Sequence, residues 1–305
     1  MFESGESEWP CGSVGYVTIV GRPNVGKSTF LNHVLGYHLA AVSSRPNTTR
    51  KRWLGILSDD KSQIIFADTP GMHECKNKMH EAMEKTIKTS ISKNDLVLCI
   101  CDAFREFGDE DEMVASSLAE CGKPCVLAIN KTDVASKENV EKIKDQYLEY
   151  LGDVPVFEMS AKDGKNTETL LKKIIELLPK GPFMYPKDQV ADAFMRDIAE
   201  EIIRESANEL IFDEIPHALT VKIDKWQETD KKVKINATVF VERESQKKIV
   251  IGVKGSMINK IKKNTCKKLR EDIEKFIDLK LYVKIAPDWQ NKGGFLKDMG
   301  VVDHD

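Results

Sequence analysis

The sequence predicts an α/β protein with a doubly wound, mostly parallel sheet, followed by a smaller α+β domain. Short runs rich in Val, Ile and Leu alternate with longer stretches of helical period, and several of the short runs are apolar throughout. Such strands, separated by helices, are typical of parallel sheets that are covered on both faces. At about 100–200 residues per domain, the length of 305 residues also favours two domains.

The first part of the chain carries the alternating pattern. Predicted strands span 14–20, 53–57, 63–68, 96–101, 124–130 and 154–159. Predicted helices span 28–35, 79–92, 109–120, 136–151 and 167–178. In doubly wound sheets, ligands bind beyond the carboxyl ends of the strands, so a functional site is expected in the loops that follow them.

The segment 179–188 (PKGPFMYPKD) separates this pattern from a second one, because proline neither continues a helix nor donates to a sheet. Beyond it the predicted order is α-β-β-α-α-β. The elements are a helix at 191–210, strands at 217–227 and 232–242, helices at 245–251 and 256–276, and a strand at 280–286. We therefore expect an acidic extension at 1–13, a first domain at 14–178, a linker at 179–190 and a second domain at 191–302.

Composition excludes several classes of protein. The formal charge is −3, hydrophobic residues make up 41% and the mean hydropathy is −0.37, which are values of an ordinary globular protein. No run approaches the roughly 18–20 apolar residues of a membrane-spanning helix. The acidic leader lacks the basic and apolar regions of a secretory signal. The seven cysteines form no paired CxxC arrangement, so zinc and disulfides are not expected and a reducing cytoplasm fits best.

The first motif directly follows the first predicted strand. It reads Gly21-Arg22-Pro23-Asn24-Val25-Gly26-Lys27-Ser28, with Thr29 next, and matches G-x-x-x-x-G-K-[ST]. Glycines let backbone N–H groups approach phosphate oxygens at the start of a helix. Lys27 would add a fixed charge on the outer phosphates, and the Ser28 hydroxyl would bind Mg²⁺. The motif predicts a nucleoside-triphosphate site.

A second motif, Asp68-Thr69-Pro70-Gly71, ends the third predicted strand. A carboxylate beside the phosphate loop can hold Mg²⁺ through a water molecule, and the Gly71 N–H can meet a γ-phosphate. Taken alone, this sequence would be equally consistent with a plain turn.

The base is predicted by Asn130-Lys131-Thr132-Asp133, after the fifth predicted strand, and by Ser160-Ala161-Lys162, after the sixth. Guanine presents two adjacent donors that one carboxylate, such as Asp133, can accept, whereas adenine presents an acceptor there. A site that would leave such a polar group unpaired rejects the wrong ligand strongly. A backbone N–H near Ala161 would meet guanine O6. Together the three motifs predict GTP.

The second domain contains an I-G-x-x-G-x-x-I pattern between two predicted helices, at 251–258. Its glycines permit a tight turn that can approach a sugar-phosphate strand, and Ile251, Ile258 and Ile261 can line a groove for bases. The candidate RNA-binding residues are Lys247, Lys248, Ile251, Gly252, Val253, Lys254, Gly255, Ile258 and Lys262. By itself, a GxxG sequence is weak evidence for RNA binding, because it more often forms the plain corner of a helix-turn-helix.

Charge strengthens the RNA prediction. Residues 243–284 carry 13 Lys and Arg against 5 Asp and Glu, a net charge of +8, which leaves −11 on the rest of the chain. A run of charge is usually a solvated helix face. Clustering beside GxxG favours a surface that faces phosphates, so the near-neutral total does not argue against a nucleic-acid partner.

Taken together, these motifs resemble the Era family of bacterial GTPases, in the translation-factor-related class, over about residues 14–302. The run 241–248 is similar to that family's V-E-R-E-x-Q-K-K lead-in to the KH loop. The resemblance implies a P-loop GTPase domain and a C-terminal type II KH domain that binds small-subunit (16S) ribosomal RNA near its 3′ end during 30S maturation. It also implies peripheral association with the inner membrane, and we expect a monomer.

The resemblance further implies roles for residues in two switch loops. By similarity to members with a TTR sequence, Thr49 would complete the Mg²⁺ shell, with Thr48 as the alternative. Met72 stands where Ras-like proteins have the glutamine that orients water. In related GTPases with an apolar residue there, an asparagine matching Asn24 helps to hold K⁺. We therefore expect slow, K⁺-stimulated hydrolysis with Lys27, Thr49, Gly71 and Asn24 as the catalytic set.

Other interpretations remain. A P-loop kinase or metabolic NTPase would share the phosphate loop but has no need of the guanine motif. A double-domain Der GTPase would need a second phosphate loop, and the tRNA-modifying MnmE group ends in a catalytic cysteine that this sequence lacks. A GTP-regulated protein acting on another RNA, and an RNA-binding scaffold with vestigial nucleotide binding, are the further alternatives. GTP is expected to order both switches and so to expose or cover the GxxG face.

Overall fold

The computed structural model describes residues 10–40, 53–72, 75, 77–212 and 215–301. The chain forms two compact units. Among the described residues, the first contains 10–39, 53–72 and 84–192, and the second contains 40, 75, 77–83, 193–212 and 215–301. The predicted acidic extension lies outside the described residues as far as residue 9.

The first unit is built on a seven-stranded sheet. Its strands are β1 (Cys11–Val20), β2 (Trp53–Ser58), β3 (Ser62–Asp68), β4 (Leu96–Asp102), β5 (Cys125–Asn130), β6 (Val156–Glu158) and β7 (Lys180–Pro182). The order is β2-β3-β1-β4-β5-β6, with β7 antiparallel to the start of β1. The pairs β1–β3, β1–β4, β4–β5 and β5–β6 are parallel, whereas β2–β3 is antiparallel. The predicted α/β class and mostly parallel sheet are confirmed.

Helices cover this sheet. They are α1 (Lys27–Leu35), α2 (Lys78–Lys93), α3 (Asp109–Glu120), α4 (Lys137–Leu151) and α5 (Thr167–Leu177). Every residue of β3 and β4 is buried, as expected for strands covered on both faces. Residues of α2 from Glu84 onward belong to the first unit, and those up to Met83 belong to the second.

The segment expected to be a linker is instead part of the first unit. Strand β7 lies within it, and Gln63 of β3 accepts hydrogen bonds from the backbone N–H groups of Met184 (2.7 Å) and Tyr185 (3.0 Å). The Val190 carbonyl accepts from the Ile56 N–H at 2.8 Å. Short antiparallel pairing of a proline-containing segment leaves no periodic signal in a sequence, which explains why β7 was not predicted.

The second unit has a three-stranded sheet in the order β10-β9-β8. Its elements are α6 (Met195–Leu210), α7 (Ile215–Ala218), β8 (Thr220–Glu228), β9 (Lys232–Val241), α8 (Glu244–Ile251), a 3-10 turn (Val253–Gly255), α9 (Ser256–Asp272), β10 (Phe276–Ile285), a second 3-10 turn (Trp289–Asn291) and α10 (Gly293–Asp298). Strand β9 is antiparallel to β8 and parallel to β10. The predicted α-β-β-α-α-β order is present, with α7 and α10 in addition.

Four predicted boundaries in the second unit were wrong by three or four residues. The first helix begins at Met195 and not at 191, and the last strand begins at Phe276 and not at 280. The helix predicted to reach residue 276 ends at Asp272, and Phe276 already pairs with Lys232 in the sheet. The strand predicted from 217 begins at Thr220, because residues 215–218 form α7. Pro216 lies in that short helix, where the fixed φ of proline suits a first turn.

Candidate nucleotide site and RNA-binding surface

The phosphate loop connects β1 to α1. Gly26 has φ 105°, and a Cβ there would lie 2.2 Å from the Asn130 side-chain nitrogen. Asn24 also adopts a left-handed conformation, with φ 65°. The loop is thus folded so tightly that glycine is required at position 26. Gly21 and the fully buried Val25 complete the turn ahead of α1, whose first two residues after Lys27 are Ser28 and Thr29.

Lys27 lies inside this loop. Its ammonium group donates to the carbonyl oxygens of Gly21 (3.0 Å) and Arg22 (2.9 Å). Burial lowers the pKa of Lys27 to about 8, although the Asp68 carboxylate opposes that shift. Desolvation disfavours the charged form, so the loop holds a lysine whose charge would be strongly stabilised by an added anion.

The magnesium residues expected from the sequence are adjacent in the structure. The Ser28 hydroxyl donates to the Asp68 carboxylate at 2.9 Å, and Asp68 is fully buried at the end of β3. A hydroxyl and a carboxylate oxygen beside a phosphate cradle match the donor set of Mg²⁺, which keeps water and substrate phosphates as its other ligands. Ser28 and Asp68 could therefore hold the ion together with a bound nucleotide.

The Asp68–Gly71 motif lies against the phosphate loop. Thr69 donates its hydroxyl to the Ile19 carbonyl at 2.7 Å. After the buried Pro70, a Cβ at Gly71 would lie 2.7 Å from the Pro23 nitrogen, so only glycine fits. The side chain of Met72 is buried in the core beside β4 and α3. An apolar, buried side chain cannot orient an attacking water, as the sequence indicated.

Asn130 joins the phosphate loop to the loop after β6. Its side-chain nitrogen donates to the Val25 carbonyl at 2.7 Å, and its side-chain oxygen accepts from the Ala161 N–H at 2.8 Å. The sequence assigned Asn130 to the nucleotide, whereas these contacts give it a role in holding two loops together. Ala161 is itself buried.

The residues after Asn130 are ordered by neighbouring loops. Lys131, with φ 64°, forms an ion pair with Asp102 at 2.5 Å. Thr132 donates to the Met159 carbonyl at 3.0 Å, while Asp133 is exposed. In the neighbouring loop, the exposed Lys162 follows Ser160, whose hydroxyl donates to Asp163 at 3.2 Å. Asp133 is thus presented to solvent on a loop whose backbone is fixed.

One cluster at the site was not predicted. Arg22, which is buried, forms an ion pair with Asp111 of α3 at 2.8 Å. The other Asp111 oxygen accepts from the Tyr147 hydroxyl at 2.7 Å, and burial together with this carboxylate raises the pKa of Tyr147. Arg22 occupies a variable position of the motif, so no pattern in the sequence marks the contact. The predicted switch residues Thr48 and Thr49 lie outside the described residues.

The predicted GxxG turn joins α8 to α9. Gly252 has φ 75°, and a Cβ there would lie 2.6 Å from the Met257 nitrogen. Val253 is 82% exposed, and Lys254 is also exposed. The turn therefore presents its side chains and backbone to solvent, with Gly255 at φ 79° as its last residue.

The flanks of this turn differ in exposure. Ile251 and Ile258 are partly exposed, but Ile261 is fully buried and belongs to the core, which corrects its predicted place in a base-binding groove. Lys248 and Lys262 are exposed and Lys247 is partly exposed.

Gln246 makes hydrogen bonds that hold the start of α8, the helix that precedes the GxxG turn. Its side-chain oxygen accepts from the N–H groups of Glu242 (2.9 Å) and Arg243 (3.0 Å) at the start of α8.

Part of the basic charge is used within the unit. Lys268 forms ion pairs with Glu205 (2.9 Å) and Glu209 (2.7 Å) of α6, and Lys275 pairs with Glu228 at 2.7 Å. Partial burial lowers the pKa of Lys268, but its hydrogen bonds to Glu209 and Glu205 outweigh that effect and raise the pKa above the usual value. The net charge of +8 thus overstates the number of cations that are available to a ligand.

Known proteins match both units. The family model described as 50S ribosome-binding GTPase matches residues 16–131, and the KH domain model matches residues 214–290. A curated GTPase Era from Staphylococcus haemolyticus is 37% identical over 294 residues, which cover 95% of this chain and 97% of that protein.

Solved structures agree. A point variant of Era from Aquifex aeolicus, bound to GDP and AlF₄⁻, is 34% identical with a TM-score of 0.90, covering 95% of this chain and all of that one. An Era complex with MgGDPNP and nucleotides 1506–1542 of 16S ribosomal RNA is 34% identical with a TM-score of 0.91, covering 96% and 100%. The motifs, the two units and this identity over nearly the full length together show that the chain belongs to the Era family of GTPases.

Proposed function

We propose that this protein is a GTP-binding and GTP-hydrolysing switch that binds 16S ribosomal RNA near its 3′ end and acts in 30S subunit biogenesis. One observation carries the proposal: a complete phosphate loop joined to a guanine motif through Asn130 occurs in the same chain as an exposed GxxG turn. The Era relative that is bound to MgGDPNP and to nucleotides 1506–1542 supports both ligands and Mg²⁺.

In the proposed site, Lys27 and the loop N–H groups bind the β- and γ-phosphates. Ser28 binds Mg²⁺, Asp68 holds it through water, and Thr49 or Thr48 completes its shell. The Ser28–Asp68 hydrogen bond supports this arrangement. Mg²⁺ would neutralise charge that develops on the phosphoryl oxygens. The Gly71 N–H would contact the γ-phosphate, and Asp133 would accept both guanine donors. Because the Ala161 N–H is taken by Asn130, the neighbouring backbone N–H of Lys162 would donate to O6.

For hydrolysis, we propose a slow intrinsic rate that K⁺ stimulates. The burial of Met72 supports the slow rate, because its apolar side chain cannot orient the attacking water. The position of Asn24 on the phosphate loop supports the stimulation by K⁺, since a cation there could offset charge on the phosphates. Equal GTPase rates in KCl and NaCl at the same ionic strength would contradict the potassium proposal.

RNA would bind at the GxxG turn, with the backbone against the glycines and Lys254 near a phosphate. The nucleotide that is bound is proposed to change the affinity of the protein for RNA. Residues 77–83, which follow the Gly71 loop, belong to the second unit: Asn77 donates to Gln290 at 2.7 Å, and Met79 and Met83 pack against Trp289. A change at Gly71 could therefore reach the RNA-binding unit through the chain itself.

The test is an RNA titration at fixed salt with a GTP analogue, with GDP and without nucleotide. We expect the affinity for an RNA with the sequence of nucleotides 1506–1542 to differ between these states, and Lys254→Ala to weaken it without changing GTP affinity. Asp133→Ala should abolish GTP binding and, with it, the dependence on nucleotide. Equal RNA affinities in all three states would overturn the switch.

Other parts of the proposal stay predictions. They are that the protein is a monomer and that it associates peripherally with the cytoplasmic face of the inner membrane. Among the described residues, no helix is both long and apolar enough to span a bilayer. A phosphorylated acceptor product would favour the kinase alternative, and equal affinity for unrelated RNAs would favour a role on another RNA.

A further inference from the structure

Among the described residues, one face of the sheet of the second unit carries no helix except α10 at one end. Along β9, Val233, Ile235, Ala237 and Val239 are fully buried on the face that carries the helices. The alternate residues point to the opposite side, because successive side chains of a strand alternate. We call this opposite side the open face. Phe295 of α10 covers one end of it by packing edge-on against Phe240, with ring centroids 5.2 Å apart.

The open face is strongly basic. Pairing register places six lysines on it, and all are exposed or partly exposed: Lys222, Lys225, Lys232, Lys234, Lys280 and Lys284. Two carboxylates oppose them. Asp278 pairs with Lys232 at 2.9 Å, and Asp224 accepts from the Thr238 hydroxyl at 2.7 Å. Lys232, Lys234 and Lys280 together lower the pKa of Asp278, as expected for cations gathered around it.

Two aromatic side chains stand among these lysines. Tyr282 is 50% exposed and Phe276 is 58% exposed, both on β10. The Lys232 ammonium lies 5.8 Å from the centre of the Phe276 ring. The two residues are six positions apart on β10, a spacing of about 20 Å along the strand. Proteins bind single-stranded nucleic acids through exposed aromatic rings, on which bases stack, and through nearby cations, which contact phosphates.

The chemistry favours RNA over the other polyanionic partners. Insertion into a membrane surface requires a contiguous apolar face, whereas Lys280 lies between the two aromatic residues. A protein partner would need a cluster of apolar anchors at its centre, and the open face has none among its described residues. Charge complementarity and isolated stacking surfaces together fit a single-stranded polynucleotide.

We propose that the open face is a second RNA-binding surface, separate from the GxxG turn, which contacts a single-stranded segment through Lys234, Lys280, Lys284 and Tyr282. The proposal rests on the proposed RNA-binding function and extends it to the other side of the same sheet. Four of the six lysines, on β8 and β9, lie outside the basic stretch 243–284. The sheet pairing, and not the linear charge pattern, brings all six together.

The experiment uses the full chain with Mg²⁺ and a GTP analogue. The probes are the RNA of nucleotides 1506–1542 and a 12-mer of oligo(U), titrated across a series of KCl concentrations. The test variant is Lys234→Ala/Lys280→Ala/Lys284→Ala. Its matched control removes three exposed lysines of the first unit, Lys137→Ala/Lys142→Ala/Lys172→Ala. Lys→Arg at the same three test positions should restore binding.

We expect the test variant to lower the slope of log Kd against log salt by about 2, because each phosphate contact with a single strand contributes about 0.7. Tyr282→Ala should weaken binding by roughly 5- to 150-fold, as loss of one stacked base does. The control variant should match the wild-type protein. An RNA carrying 4-thiouridine should crosslink to the peptide that contains Tyr282 even when Lys254 is replaced by Ala.

Different outcomes separate the two proposals. In one outcome, Lys254→Ala weakens binding while the test variant and Tyr282→Ala bind both probes with the slope and affinity of the wild-type protein. That result would overturn the proposal that the open face binds RNA, and the proposed function would stand. If the wild-type protein ignores the ribosomal RNA but binds oligo(U) through the open face, the proposed function fails alone. Binding to neither probe overturns both. Loss of binding to vesicles with 30% anionic lipid, without loss of RNA affinity, would assign the face to membranes instead.

Discussion

At the scale of single residues, the site is held together by polar side chains that do not need to touch a ligand. Asn130 bonds to two loops, and Asp111 joins the buried Arg22 to Tyr147. Buried polar groups of this kind are costly unless every partner is present. Motif positions could be predicted because phosphate and guanine chemistry dictates them. The Arg22–Asp111 pair could not, because it depends on which helix side chain lies beside the loop.

Replacing Asp111 by Ala leaves the Arg22 guanidinium buried without its carboxylate. Breaking a buried pair in this way costs about 3–5 kcal/mol, so we expect the free energy of unfolding to fall by that amount in urea titrations. Nucleotide affinity should fall as well, because Arg22 belongs to the phosphate loop. The control Glu110→Ala removes an exposed carboxylate from the same helix and should change stability by less than about 0.5 kcal/mol. Equal stability of both variants would contradict the role of Asp111.

The pKa of about 8 at Lys27 predicts a proton linkage. Below that pH the lysine is already protonated, whereas near pH 8 about half of the molecules are neutral and must take up a proton when an anion binds. Calorimetric titration of MgGDP in buffers of different ionisation enthalpy should therefore show uptake of about half a proton at pH 8. The uptake should nearly vanish at pH 7. Lys27→Ala should lose both the uptake and most of the affinity, and wild-type binding without uptake at pH 8 would contradict the linkage.

At the scale of elements, the local sequence pattern was sufficient to predict a strand or helix wherever that element is buried along its length. Strands β3 and β4 lie within one residue of their predicted ends, because both have a central run of apolar side chains and are buried along their whole length. Prediction failed where pairing with a distant strand decides the conformation. Phe276 continues a helical pattern but joins the sheet opposite Lys232, and residues 180–182 pair with β1 although they follow one proline and end in another. Tertiary contacts override local preference in such places.

Gln63 is the side chain that fixes the segment after β7. It is fully buried, donates to the Tyr185 carbonyl at 2.9 Å and accepts from two backbone N–H groups. Gln63→Leu would leave these backbone groups without partners. We expect a loss of about 2–4 kcal/mol and faster hydrogen exchange at Met184 and Tyr185. Gln189→Ala, which removes one hydrogen bond in the same segment, is the matched control and should cost about 1 kcal/mol or less.

At the scale of the whole molecule, the small net charge is the sum of two parts of the chain with opposite net charges. Residues 243–284, in the second unit, carry a net charge of +8, and the rest of the chain, which includes the phosphate loop, carries −11. Clustered cations make RNA binding sensitive to salt, and a surplus of acid elsewhere discourages nonspecific contacts. A protein can therefore bind RNA with a formal charge of −3.

Asn77 tests whether the two activities are coupled through residues 77–83. Linkage requires that, if GTP changes RNA affinity by some factor, RNA changes GTP affinity by the same factor. Asn77→Ala removes the bond to Gln290 and the bond that its side-chain oxygen accepts from the His80 N–H. We expect it to reduce that factor in both directions while leaving GTP affinity without RNA unchanged. Lys142→Ala, on an exposed helix face of the first unit, should keep the full factor. Fluorescence titrations of each ligand in the presence and absence of the other measure both directions. An Asn77→Ala variant with the wild-type factor would show that the coupling does not depend on this bond.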